Sequence, residues 1–198
     1  MHHKRTLPEH IALRRRILVP QLRRRLLFLV GGIAVGVLAV LMTKLADGAQ
    51  LVFFAAHDRW PLLPLVLTPA GWARLTWSTT RFFPGAEGWG IQQVIAARSL
   101  AEQKDRGFLV PIRLAIAKIA LLTLGLAVGA SAGREGPTVQ VGAATMFALG
   151  RFQPPRQPGL LLAGASAGIA PAFNAPLAGI LFGIGVVSRP FATTPRFL

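Results

Sequence analysis

One stretch constrains this chain more than any other. Leu26 to Met42, "LLFLVGGIAVGVLAVLM", carries no charge, and Lys44 is the first cation after it. The apolar core of a secretory signal runs to about 15 residues, and here the apolar pattern continues to about His57. About 20 apolar residues suffice to cross the hydrocarbon of a bilayer. The segment from Leu26 to about His57 therefore reads as a retained membrane span, either tilted or projecting beyond the lipid. Composition agrees: 53% of the chain is hydrophobic and 15% charged, with a mean hydropathy of +0.52. Soluble domains carry about a quarter charged residues.

The net charge of +15 raises the possibility of a nucleic-acid partner, and the placement of the charge argues against it. Lys4, Arg5, Arg14, Arg15, Arg16, Arg23, Arg24 and Arg25 all precede the first apolar run. That is the positive-inside pattern of an arm kept in the cytoplasm, at a bacterial inner membrane on this reading, where it can also rest on anionic headgroups. Residues 1–25 are thus a basic cytoplasmic arm, and the expected partners are membrane lipid and a small anion. The chain has no cysteine, which excludes disulfides, thiolate metal sites and Cys nucleophiles. His2, His3, His10 and His57 do not sit at metal-ligand spacing with acids, so no metal is expected.

Downstream the pattern breaks repeatedly. "WPLLPLVLTPAGWARLTWSTTRFF" reads as an imperfect helix over about Pro61–Ser78, with Trp60, Trp72 and Trp77 suited to the lipid–water boundary. Pro84 to Gly90, "PGAEGWG", is a Gly-rich loop, followed by a short helix over about Gln92–Glu102 and a polar connection, "QKDRG". Phe108 to about Gly129 reads as a further span, whose Arg113 and Lys118 either snorkel or face protein. "GREGP" at Gly133–Pro137 interrupts the pattern, and Pro137 suits the first turn of a new helix. A Pro-rich turn, "RFQPPRQPG", precedes "LLLAGASAGIAPAF", a break at "NAP" and "LAGILFGIGVV". Segments too short to span alone are what ion-binding membrane proteins use at the midplane. Gly32 and Gly36 lie on one helical face, as close packing requires. "GASAG" occurs at Gly129–Gly133 and again at Gly164–Gly168, which small-residue packing explains. The fold class is an all-α membrane protein, a bundle of tilted and broken helices.

Beyond Asp105 the chain has one carboxylate, Glu135. At membrane depth such a group costs about 2.5–3.5 kcal/mol on insertion scales and is a functional candidate; in a surface loop it would merely pair with Arg134. Its neighbours favour the first reading. Gly133 and Gly136 permit close backbone approach, and the first N–H groups of a helix, lacking internal partners, attract anions. Gly88 and Gly90 precede a second helix start, and Asn174 is a candidate cap for a third beginning near Pro176. Partial charges of this kind hold a halide without trapping it.

"GREGP" is the signature of the CLC family of chloride channels and chloride/proton exchangers. "GAEGWGIQQVIAA" is similar to that family's first anion-binding motif, GSGIP, and "AGIAPAFNAPLAGILFGI" resembles its later helix pair. The resemblance covers about Leu26 to Val186. It implies that residues 26–188 form the first inverted-repeat half of a CLC-type pore, with 189–198 a divergent or truncated tail. It implies a chloride substrate, no cofactor, and a homodimer in which each subunit has its own pore. Glu135 matches the gating glutamate, whose carboxylate competes with chloride and swings away when protonated. Arg134, Glu135 and Gly136 match the outer anion site, and Gly88, Trp89, Gly90 and Ile91 match the lining of the central and inner sites. Trp89 stands where the family has Ser, and Gln92 where it has Pro. Gly185 and Val186 stand where exchangers commonly carry glutamates, which implies anion movement without proton coupling. The chain has no Tyr, so the coordinating Tyr of the family's second half is absent from it.

Three readings remain: an anion pathway protein, channel or exchanger, including a proton-coupled antiporter when full length; a non-conducting half-bundle; and an enzyme with "GASAGREGPT" as a phosphate cradle. The last requires Gly-Lys-Ser/Thr at the helix start, and Gly136-Pro137-Thr138 offers no Lys. No catalytic residue is expected.

Overall fold

A computed structural model of the protein describes residues 7–100, 102–152 and 157–187. The first six residues of the basic arm, the middle of the Pro-rich turn and the expected divergent tail at 189–198 lie outside these. Among the described residues the chain is helical and has no strand.

Helix α1 (Leu7–Arg59) runs unbroken through the boundary at residue 25, so the described part of the arm continues the span as helix. Its apolar portion, Arg25–Arg59, measures about 52 Å at 1.5 Å per residue, more than the hydrocarbon of about 30 Å. Val35, Ala39, Met42, Ala46 and Ala49 are buried at alternating spacings of four and three, one stripe of a helix. The opposite face is apolar too, with Ile33, Val37, Leu51 and Val52 exposed. A helix apolar all round, half against protein and half open, suits lipid rather than water.

Helix α2 (Leu63–Phe82) buries none of its residues and carries Pro69 inside it. Helix α3 (Ile91–Ser99) follows the Gly-rich loop. The expected polar connection is instead helix α4 (Gln103–Leu109). The local pattern conceals why: Arg106 is buried, and its guanidinium caps the carbonyl of Leu100 at the end of α3. The span expected from Phe108 accordingly starts later, as α5 (Ile112–Ala127), because Pro111 stands extended before it. With α4 it forms the second stretch long and apolar enough to cross a membrane, Lys104–Ala127.

Helices α6 (Glu135–Leu149) and α7 (Gln157–Ala172) form the centre. At about 1.5 Å per residue neither reaches across the hydrocarbon alone. Nearly all of α6 from Gly136 to Met146 is buried. It crosses α7 at glycines: a methyl group on Gly142 would overlap the carbonyl of Gly164, one on Gly164 the carbonyl of Gly142, and one on Gly168 the carbonyl of Thr138. Small residues let two backbones meet in this way where lipid supplies no hydrophobic drive. The core between α1, α3, α5, α6 and α7 includes Met42, Val94, Leu122, Val139, Leu161 and Ile169. Helix α8 (Pro176–Phe182) packs on α7 and passes into a π turn, Gly183–Val187.

The glycine contact on α1 is not the expected one. Gly32 and Gly36 face open space, whereas a methyl on Gly31 would overlap Met146 of α6. One residue's shift turns a helix by about 100°, and hydropathy alone does not choose among adjacent glycines.

Candidate functional site

Two breaks in the chain meet around one cavity. The loop from Phe83 to Gly90 is bent by Gly85, Gly88 and Gly90, all at positive φ, which glycine adopts without a Cβ penalty. The segment from Val128 to Arg134 turns at Gly129, φ +84°. Between these two loops, α2 and α5 lies a cavity of 450 Å³, lined among others by Thr76, Thr79, Gly88, Trp89, Lys118 and Gly133.

The two expected anion-site motifs are brought together. The carbonyl of Trp89 lies against Gly136, where any side chain would overlap it. Gly90, the residue before α3, lies against the side chain of Gln140 in α6, and its φ is +86°. The first helical hydrogen bonds are Val94 N–H to the Gly90 carbonyl and Thr138 N–H to the Arg134 carbonyl. The N–H groups of Ile91, Gln92 and Gln93, and of Glu135 and Gly136, therefore precede any partner within their own helices. The positive ends of α3 and α6 are thus neighbours.

Lys118 is the residue that sequence reasoning left undecided. It is 4% exposed, and its ammonium donates to the carbonyl of Gly88. Among the described residues no carboxylate lies within ion-pair distance of it. A buried ammonium with one neutral acceptor leaves two N–H donors in the wall of a cavity that also holds Ser131 and Thr76. Glu87 is the acid on the same cavity, and it is exposed. Arg113, in contrast, is exposed and sits over the Phe83 ring at 5.9 Å.

Glu135 opens α6 and is half-buried. Its carboxylate folds back over Gly133, where a methyl group would overlap it; Gly133 and Pro137 line the cavity, whereas Arg134, Glu135 and Gly136 do not. It does not pair with Arg134. The Arg134 guanidinium reaches Asp47 of α1 at 2.8 Å. Trp89 is 68% exposed and, with Gly88, lines the cavity, whereas Gly90 is buried, Ile91 is half-buried, and neither lines it.

The third helix start does not join them. Asn174 does not cap α8: the preceding position is Ala175, without a side-chain cap, and Asn174 itself is left-handed at φ 50°. Neither it nor Pro176 lines the cavity. Gln140 went unnoticed in the sequence. It is fully buried beneath Gly90, its carboxamide without a hydrogen-bond partner among the described residues, and no periodicity marks such a residue.

A family model described as "Voltage gated chloride channel" matches residues 71–197. The H(+)/Cl(-) exchange transporter ClcA of Yersinia pseudotuberculosis serotype IB (strain PB1/+) is 33% identical over 157 residues, covering 76% of this chain and 30% of the relative. The protein of the same name from Yersinia pestis bv. Antiqua (strain Angola) is 32% identical over the same length, with the same shares. The chain thus spans about 30% of the length of these curated relatives. No solved structure matches it.

Proposed function

The chain belongs to the voltage gated chloride channel family, and we propose on that premise that residues 26–188 wall an anion pathway, with the cavity behind Trp89 as a chloride site and Glu135 as its gate. The observation that carries this reading is the contact of Trp89 with Gly136, which sets the starts of α3 and α6 side by side next to buried Lys118. Helix-end N–H groups and one ammonium offer an anion several donors without a full ion pair to each. The anion competes with the Glu135 carboxylate, which resembles it in charge; protonation ends the competition. The finer assignments belong to the same proposal. The chain supplies a first inverted-repeat half, crosses the bilayer several times with its basic end in the cytoplasm, and works as a homodimer.

The named relatives are proton/chloride exchangers. Here Gly185 and Val186 supply no carboxylate for an inner proton relay, so this chain's half of the pathway moves anions without requiring a coupled proton. The test is chloride efflux from proteoliposomes containing the full chain, recorded with a chloride electrode while a dye follows internal pH. The proposal expects chloride release without stoichiometric proton uptake. Proton uptake driven by a chloride gradient would overturn the uncoupled reading, and absence of both chloride release and halide binding would overturn the anion reading.

A further inference from the structure

We infer that Asp47 is a positioning residue of the anion pathway: by holding the Arg134 guanidinium on α1, it withholds a full positive charge from the anion site and from Glu135. This rests on the reading of the cavity as an anion site.

The geometry places the pair at a sensitive point. Arg134 is the residue before α6, and its neighbours on either side are Gly133, which lines the cavity, and Glu135, which folds over Gly133. No side-chain cap holds the start of α6. Two external contacts hold it instead. Trp89 presses on Gly136 from the Gly-rich loop, and Asp47 takes the guanidinium of Arg134 at 2.8 Å from α1. Asp47 follows buried Ala46, at the edge of the stripe that packs α1 into the core. Both side chains keep access to solvent, 33% for Arg134 and 48% for Asp47. An exposed ion pair adds little to stability, about 0–1 kcal/mol. It does, however, decide where a guanidinium points. Released, Arg134 would stand in the chain between Glu135 and Gly133 of the cavity wall, free to turn toward an anion there, and a guanidinium–anion contact is among the stronger hydrogen bonds. An anion held that strongly leaves slowly. Asp47 therefore keeps binding weak enough for the ion to move on.

The test is bromide titration by isothermal calorimetry on the purified full chain at fixed ionic strength, with folding followed by circular dichroism. Asp47→Asn should bind bromide about tenfold more tightly than wild type, the increment of one added charge-assisted contact. Asp47→Glu should match wild type. Asp47→Asn with Arg134→Gln should return to wild-type affinity or weaker, since the released cation is then gone. The swap Asp47→Arg with Arg134→Asp keeps the latch but sets an anion beside the site, and should weaken binding about tenfold. Wild-type binding unaltered in Asp47→Asn, a double variant as tight as Asp47→Asn, or a swap equal to wild type would each overturn the inference and leave the anion reading standing. No bromide heat in any variant would overturn the anion reading and the inference with it. Should Asp47→Asn fail to fold, the swap decides.

Discussion

The carbonyl of Trp89 rests against Gly136 so closely that no side chain fits between them. Two glycine-marked helix starts, far apart in the chain, thereby share one cavity with Lys118. The consequences are open to measurement.

Replacing Glu135 with Gln removes the competing carboxylate while keeping its shape. At neutral pH, chloride flux should be higher through Glu135→Gln than through wild type, because the site is then free for the anion. Chloride efflux from proteoliposomes at neutral pH decides it; a variant with the wild-type flux would remove Glu135 from the gate.

Lys118→Met keeps the length of the side chain and deletes the ammonium that holds the Gly88 carbonyl. Halide affinity should fall by about tenfold or more, since a buried hydrogen bond to a charged group is worth about 1.5–3 kcal/mol. Titration calorimetry measures it. Arg113→Met, on the exposed side of the same helix, should leave affinity unchanged.

Gly90→Ala is doubly unfavourable: the backbone is left-handed at φ +86°, and the new methyl meets Gln140. Left-handed strain in a non-glycine residue costs about 1–3 kcal/mol. A lowered melting temperature is expected, with partial recovery when Gln140→Ala is added, because the collision is relieved and the strain remains.

The α6–α7 crossing gives a contrast along glycines. Gly164→Ala drives a methyl into the Gly142 carbonyl, and overpacking of this kind costs about 1–3 kcal/mol. Gly36→Ala meets nothing within 4 Å and should be neutral or slightly stabilising, as Ala favours helix over Gly by about 1 kcal/mol. Thermal unfolding in detergent compares the two.

Trp89→Ser installs the hydroxyl found in the resembling motif. Trp89 is 68% exposed, so stability should hold while halide selectivity shifts, read as the ratio of bromide to chloride efflux. An unchanged ratio would separate the Trp89 side chain from selectivity and leave its backbone role intact.

Much of this was legible from neighbours along the chain. The uncharged run after Arg25 specified a membrane helix, and Gly88, Gly90, Gly133 and Pro137 marked the two helix starts. These signals are local, because hydropathy, φ preference and a missing N–H act within a few residues. The pairings were not legible. Lys118 meets a carbonyl 30 residues away, Arg134 takes Asp47 rather than adjacent Glu135, and Gly31 rather than Gly32 or Gly36 meets α6. The helix over 103–109 was hidden for the same reason, since buried Arg106 ties it to the Leu100 carbonyl at the end of α3 while Lys104 and Asp105 stay exposed. Which face of a helix turns inward, and what waits there, depends on how whole helices cross, and only the tertiary structure decides that.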